Sequence, residues 1–190
     1  MPSFIICEKP PENEPKLKKD NAGVAKFRKR NRLRLYGILS LVGASPTART
    51  MIKIRRFQPE DLDRALEIAR DSLSWPWPKN EFEKYLEDSF AAEEDGRMIG
   101  LIVGKVLKNQ GVIKLIAVEQ NYRGKGIGKK LVEYLLNYFK ENGARIVIAR
   151  SRTGNENGIS FLKNLGFGIV KTIEKYYLNG DDAYLMKKEL

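Results

Sequence analysis

The stretch "AVEQNYRGKGIGKKLVEYLLNYF", residues 117–139, decides how the chain is read. An apolar run enters it and an amphipathic pattern leaves it. Between them stand Gly124, Gly126 and Gly128, flanked by Arg123, Lys125, Lys129 and Lys130. The spacing of Ile127, Leu131, Leu135 and Phe139 puts one apolar stripe on a helix, so the glycines form a tight turn from a strand into a helix N-terminus. Amides at such a terminus have no helical acceptor, the helix dipole favours negative charge, and glycine lets a bulky anion approach the backbone. The turn therefore reads as a phosphate site.

Spacing excludes two phosphate binders. The nucleoside-triphosphate loop needs G-x-x-x-x-G-K-[ST] and the dinucleotide fingerprint needs G-x-G-x-x-G, whereas this turn is G-x-G-x-G. It also falls in mid-chain, where a dinucleotide fold places its fingerprint at the first strand.

Working outward, "GVIKLIAV" before the turn is apolar almost throughout, as a strand inside a sheet would be. Upstream, "FAAEEDGRMIGLIVGKVL" reads as a hairpin turning at Asp95-Gly96. "IKIRRF" alternates as a strand. A helix opening at Pro59, Glu60 and Asp61 then carries Leu62, Ala65, Leu66, Ala69 and Leu73, and a second short helix carries Phe82, Tyr85 and Leu86. Downstream, "ARIVIARS" is a strand, a helix with Ile159, Leu162 and Leu165 stops at Gly166, and "FGIVKTIEKYYL" and "AYLMKKEL" are two strands around Asn179-Gly180. The pattern implies an α/β (α+β) domain with a mixed, mostly antiparallel sheet of about seven strands and about four helices.

Composition limits the chemistry. The 190 residues include one cysteine, Cys7, and no histidine. An internal disulfide is excluded, a conventional zinc site has almost no ligands, and a metal-free mechanism in a reducing, cytoplasmic compartment is expected. The net charge of +11 is uneven. Residues 1–50 hold 11 Lys/Arg against 4 Asp/Glu, a net of +7, leaving +4 for residues 51–190. The first fifty residues contain the proline-rich "KPPENEP", the basic "KFRKRNRLR" and the apolar "LYGILSLVGA". This last run has half the length a membrane-spanning helix needs, so no membrane role is expected. Regular patterning starts at Met51, so the folded domain is placed at 51–190, with 1–50 a basic, poorly ordered extension or a misassigned start.

The turn resembles the pyrophosphate-binding signature of the GNAT acetyltransferase superfamily, [Q/R]-x-x-G-x-[G/A], at Arg123, Gly126 and Gly128. "IRRFQPEDLDRALEIA", "IKLIAVEQNYRGKGIGKKLVEYL" and "NENGISFLKNLGFGIV" follow that family's order and spacing, so the resemblance covers residues 51–190. "PWPKNEF" (76–82) and "YYLNGDDAYLM" (176–186) are similar to segments of protein N-terminal acetyltransferases, including the ribosomal-protein-alanine type. The resemblance implies acetyl-CoA as acetyl donor, its pyrophosphate on the amides of residues 124–129 (Gly124, Lys125, Gly126, Ile127, Gly128, Lys129) beside Arg123. It implies a pantetheine arm along the main chain of Ile116 and Val118, and a cofactor hydrogen bond at Asn155. Asn155 equally suits a plain helix N-cap. Trp77 and Tyr176 are expected acceptor contacts, though packing explains Trp75 and Trp77 as readily; as strand neighbours, Tyr176 and Tyr177 put one ring toward the core and the other toward the cleft, and Tyr177 is the candidate catalytic hydroxyl, with Tyr176 not excluded by alternation alone.

By the same resemblance, an amine attacks the thioester directly, through a tetrahedral oxyanion stabilised by backbone amides. The sequence departs from the family at two places. The position that often supplies a Glu or His base is Arg150, which accepts no proton at working pH, and that of a tyrosine general acid is Leu162. An α-amine of pKa about 7.7–8.0 is roughly 10–17% free base at pH 7, against about 0.04% for a lysine near 10.4. A site without a strong base thus suits a protein or peptide N-terminus, or a small amine of low pKa, better than a lysine side chain. Two alternatives stand beside it: a small-molecule amine acetyltransferase, and a non-catalytic acyl-CoA-binding protein whose basic arm grips nucleic acid, the less favoured partner. A homodimer is compatible with either.

Overall fold

The computed structural model describes residues 6–7, 51–70 and 77–190. Leu73, Trp75 and the proline-rich, basic and apolar runs of the first fifty residues lie outside them. The strands are β1 (Ile6–Cys7), β2 (Lys53–Arg56), β3 (Ser89–Glu94), β4 (Arg97–Leu107), β5 (Gln110–Val118), β6 (Ile146–Arg152), β7 (Gly168–Ile173) and β8 (Ala183–Glu189). The helices are α1 (Leu62–Arg70), α2 (Lys79–Glu83), α3 (Ile127–Glu141) and α4 (Glu156–Asn164). One sheet runs β2-β3-β4-β5-β6-β8-β7, with β1 added onto β5. Among the described strands only β5 and β6 pair in parallel. This is the mixed, mostly antiparallel sheet that the pattern implies.

Two apolar layers cover the sheet. Residues of α3 and α4 pack with Ile102, Ile113, Ile116, Val147 and Ala149 on one face. On the other, Leu62, Ala65 and Ile68 of α1 meet Trp77, Phe82 and Tyr85 over Leu101, Val103, Leu115 and Ala117. β5 contributes to both layers and is buried from Gly111 to Val118, which is why its sequence is apolar almost throughout. In α1 it is Ile68, not the expected Leu66, that is fully covered.

Close approach of α3 to the sheet depends on two glycines. A Cβ at Gly111 would stand 2.2 Å from the Phe139 ring, and one at Gly104 would stand 2.8 Å from it. The Phe139 ring fills the space that two side chains would otherwise occupy, and so fixes α3 directly behind β4 and β5. The β3–β4 hairpin turns at Asp95 (φ 50°) and Gly96 (φ 78°), the paired positive φ values of a type I′ turn. Arg55 anchors the opposite edge. Its guanidinium pairs with both oxygens of Asp61, at 2.6 and 2.7 Å, and with Glu93. Asp61 also accepts the Gln58 N–H at 2.8 Å. Burial alone would raise the Asp61 carboxyl, but the Arg55 hydrogen bonds, the Gln58 amide and the Arg55 charge outweigh it and hold the group below the ordinary carboxylate range.

The sequence pattern puts Tyr176 and Tyr177 on a strand, where neighbours point to opposite faces; the structure does not. β7 ends at Ile173, and both rings belong to the loop before β8, which turns at Lys175 with φ 49°. Their rings stand 5.1 Å apart at 89°. They share one locality instead of facing opposite ways.

Candidate functional site

The parallel pairing of β5 with β6 covers only Gln110–Ile113 and Ile146–Ala149. Beyond it the two strands no longer pair: β6 runs on to Arg152, still paired with β8, and β5 runs on to Val118. At the far end of β5 a 3-10 turn, Gln120–Tyr122, leads through Arg123 to the glycine turn. Gly124 (φ 77°) and Gly126 (φ 78°) take left-handed conformations, which side chains with a Cβ disfavour. Gly126 is the N-cap of α3, and no side chain caps that helix. Its first turn contains no acidic residue. A Cβ on Gly124 or Gly126 would meet nothing within 4 Å, so the turn opens onto free space.

That space is a cleft of about 300 Å3. Ile116 and Val118 form its strand wall, Arg123, Gly124, Gly126, Ile127, Gly128 and Lys129 its turn, and Gly158 and Phe161 of α4 the wall opposite. Eight of the ten expected cofactor residues are brought together here. Arg123 ties the two ends of the wall, its Nε donating to the Val118 carbonyl at 2.9 Å. Lys125 does not line the cleft; its Nζ lies 4.8 Å from the Tyr122 ring centroid. Lys129 pairs with Glu133 at 3.7 Å across an exposed helix turn. With uncapped amides, Arg123 and Lys129 in its lining and open glycines, the turn fits a pyrophosphate group.

Asn155 is the N-cap of α4. Its Oδ1 accepts the Gly158 N–H at 3.1 Å and its Nδ2 donates to Ser151 Oγ at 3.3 Å. The cap reading is therefore the one the geometry displays, and Asn155 is absent from the lining of the cleft. Its influence passes through Gly158, where a Cβ would stand 2.3 Å from Asn155 Nδ2. Sequence reasoning missed Gly158, Phe161 and Tyr122. Tyr122 could have been found by its place one residue before Arg123; its hydroxyl is pushed up, chiefly by a hydrogen bond to Glu94.

The acceptor side is less concentrated. On β6, Ile148, Arg150 and Arg152 face away from α3 and α4, whereas Val147 and Ala149 join their layer. Arg150 is the first β6 residue past the last pair with β5, where the strands begin to part. Its guanidinium carbon is 5.7 Å from the Tyr176 ring, and that of Arg152 is 4.1 Å from the ring of the buried Tyr177. Arg152 also pairs with Asp181 and with Asn179, and Asp181 is held below its ordinary value by Asn179 and then by Arg152. Trp77, expected to contact an acceptor, is 1% exposed and stacks edge-on against Phe82 at 5.4 Å. The geometry assigns its ring to the core. Lys114, the charged exception in the apolar β5 run, is buried with its Nζ 5.5 Å from the Tyr85 ring, a contact the sequence did not suggest. Among the described residues no cluster of His, Cys, Asp or Glu could hold a metal, and no helix is long and apolar enough to cross a membrane.

A mixed sheet whose two parallel strands part, with a glycine turn and an uncapped helix N-terminus opening onto the cleft at the end of one of them, fits a phosphorylated ligand. The chain belongs to the acetyltransferase (GNAT) family, whose model matches residues 62–167. It is similar to N-alpha-acetyltransferase 30 of Schizosaccharomyces pombe, 31% identical over 70% of this chain and 95% of that protein. It is also similar to a putative [ribosomal protein bS18]-alanine N-acetyltransferase of Bacillus subtilis, 29% identical over 73% of this chain and 95% of that one. Among solved structures, Ard1 from Thermoplasma volcanium superposes with a TM-score of 0.70 at 28% identity, over 73% of this chain and 97% of its own. The activity class is N-acetyl transfer with acetyl-CoA as donor.

Proposed function

We propose that the protein acetylates the α-amine at the N-terminus of a protein or peptide. The observation that carries this reading is Arg150, a guanidinium at the point where β5 and β6 part. A guanidinium takes up no proton at neutral pH, so an amine that is already partly neutral has the advantage there. At pH 7 the free-base fractions of an α-amine and a lysine differ by more than two orders of magnitude, worth roughly 3 kcal/mol. The names of the relatives in yeast and Bacillus agree with this acceptor class. The neutral amine nitrogen adds to the thioester carbonyl to give the tetrahedral oxyanion, the amine's proton leaves to solvent, and the oxyanion collapses with cleavage of the C–S bond. Tyr177 is the side chain proposed to orient the amine or protonate the departing thiolate.

The donor is held at the glycine turn and along Ile116 and Val118, and the reaction belongs in the cytoplasm, where acetyl-CoA and the reduced state of Cys7 are both at hand. The catalytic unit is residues 51–190, which contain the whole path from β2 to β7. The test is a panel of acceptors assayed by CoA release: peptides with a free N-terminus, the same peptides blocked there but carrying lysine, and polyamines or amino acids. Preference for free N-termini is expected. Comparable rates on blocked lysine peptides, or a preference for small amines, would overturn the assignment.

A further inference from the structure

We propose that the chain carries an internal competitor of its own donor: β1 and the pantetheine arm of acetyl-CoA take the same edge of β5. This rests on the reading that the donor lies along Ile116. The argument begins with the two edges of β5. One is filled along its full length by β4, whose register includes Ile102↔Ile116 and Val103↔Leu115. The other is filled by β6 only as far as Ile113. β1 pairs antiparallel with Leu115 and Ile116, as Ile6↔Ile116 and Cys7↔Leu115. Since β4 already holds one edge at those two residues, β1 occupies the other, on the side of β6, and it contacts β6 as well. The segment therefore sits in the wedge where the two parallel strands separate.

Ile116 is also a wall of the cleft that leads to the glycine turn. A strand added there uses the main-chain groups of Ile116 that an extended pantetheine arm would use, as any peptide adding to a free sheet edge does. Both guests cannot be seated together. Two residues of pairing make a weak bond, but the segment is tethered, so its effective concentration stands in for affinity. The fraction of molecules with β1 undocked then sets the apparent donor affinity.

The experiment uses the full chain and desulfo-CoA, which lacks the thiol that could form a disulfide with Cys7. Proline at both positions removes the strand's N–H donors, so the Ile6→Pro/Cys7→Pro double variant is compared with the unaltered protein by calorimetry. The variant should bind desulfo-CoA at least threefold more tightly, and a synthetic peptide of residues 1–10 added in excess should restore the weaker affinity. In the unaltered protein, desulfo-CoA should speed amide exchange in the segment holding Ile6 and Cys7. Equal affinities, or exchange in that segment unchanged or slowed by the ligand, would overturn the competition alone. No binding by either protein would sink the donor site and the competition together.

Discussion

The guanidinium of Arg152 stands 4.1 Å from the ring centroid of Tyr177 and is itself tied to Asp181. A cation over the ring face holds the ring by its quadrupole, so the Tyr177 hydroxyl is carried on a ring clamped from above. The clamp spans two elements, β6 and the loop before β8, and Tyr177 closes the loop further: its N–H donates to the Asp181 carbonyl at 3.0 Å. If that hydroxyl serves the departing thiolate or the amine, Tyr177→Phe should lower kcat about tenfold or more while changing acetyl-CoA affinity little. Steady-state kinetics paired with calorimetry read the two quantities separately. A parallel fall in both, or no fall in kcat, would assign Tyr177 to packing.

The glycine turn yields a second prediction. Gly126 has φ 78° and an open Cβ direction, so a side chain there strains the backbone by roughly 1–2 kcal/mol and projects into the cleft where the phosphate is proposed to sit. Gly126→Val should weaken CoA binding at least tenfold with the far-UV circular dichroism unchanged. Lys125→Ala should cost less, because the backbone amides make the specific contacts and Lys125 faces the Tyr122 ring. Unaltered affinity in Gly126→Val would refute the phosphate cradle.

How far the sequence alone reaches can be judged from these same residues. The Asp95-Gly96 turn, the Ile127–Phe139 stripe and the glycine run each rest on a local rule, a turn type or a period, and local rules survive folding. What was missed depends on contacts across the chain. Phe139 needs Gly104 and Gly111 from two strands, and nothing near any one of the three announces the others. Tyr176 and Tyr177 follow a β-rich run, yet the positive φ at Lys175 ends the alternation before them. Pairing of Ile6 and Cys7 with β5 spans more than a hundred residues of chain, beyond any periodicity.

The Arg55–Asp61 pair gives a pH prediction for stability. The Asp61 carboxyl is held low in the folded protein by Arg55, against burial that would raise it, while in the unfolded chain it titrates near an ordinary value of about 3.9. Its contribution is thus fully present above that value and is lost as pH falls through the lower, folded-state pKa. Asp61→Asn should destabilise the protein at pH 7 by about 1–3 kcal/mol and make the acid limb of the stability profile shallower. Urea midpoints measured from pH 7 down to pH 3 would show it; identical acid limbs in the two proteins would remove Asp61 from the account.

The absent base makes the last prediction. With Arg150 where β5 and β6 part, nothing at that position accepts the amine's proton before attack. The rate should then follow the acceptor's own neutral fraction, rising about tenfold per pH unit until the amine's solution pKa near 7.7–8.0 and levelling above it. Peptides whose α-amines differ in pKa should shift the plateau by the same amount. Arg150→Glu supplies an acceptor at that place and should raise turnover near pH 7, flattening the slope below the plateau. Of the carboxylates of "AAEEDG", Glu93 and Glu94 are poor substitutes in the natural chain, because Glu93 is bound to Arg55 and Glu94 engages the Tyr122 hydroxyl. A wild-type profile with its midpoint well below the acceptor's pKa, indifferent to Arg150→Glu, would mean that some other group takes the proton, and the preference for α-amines would then need a cause in the shape of the acceptor groove.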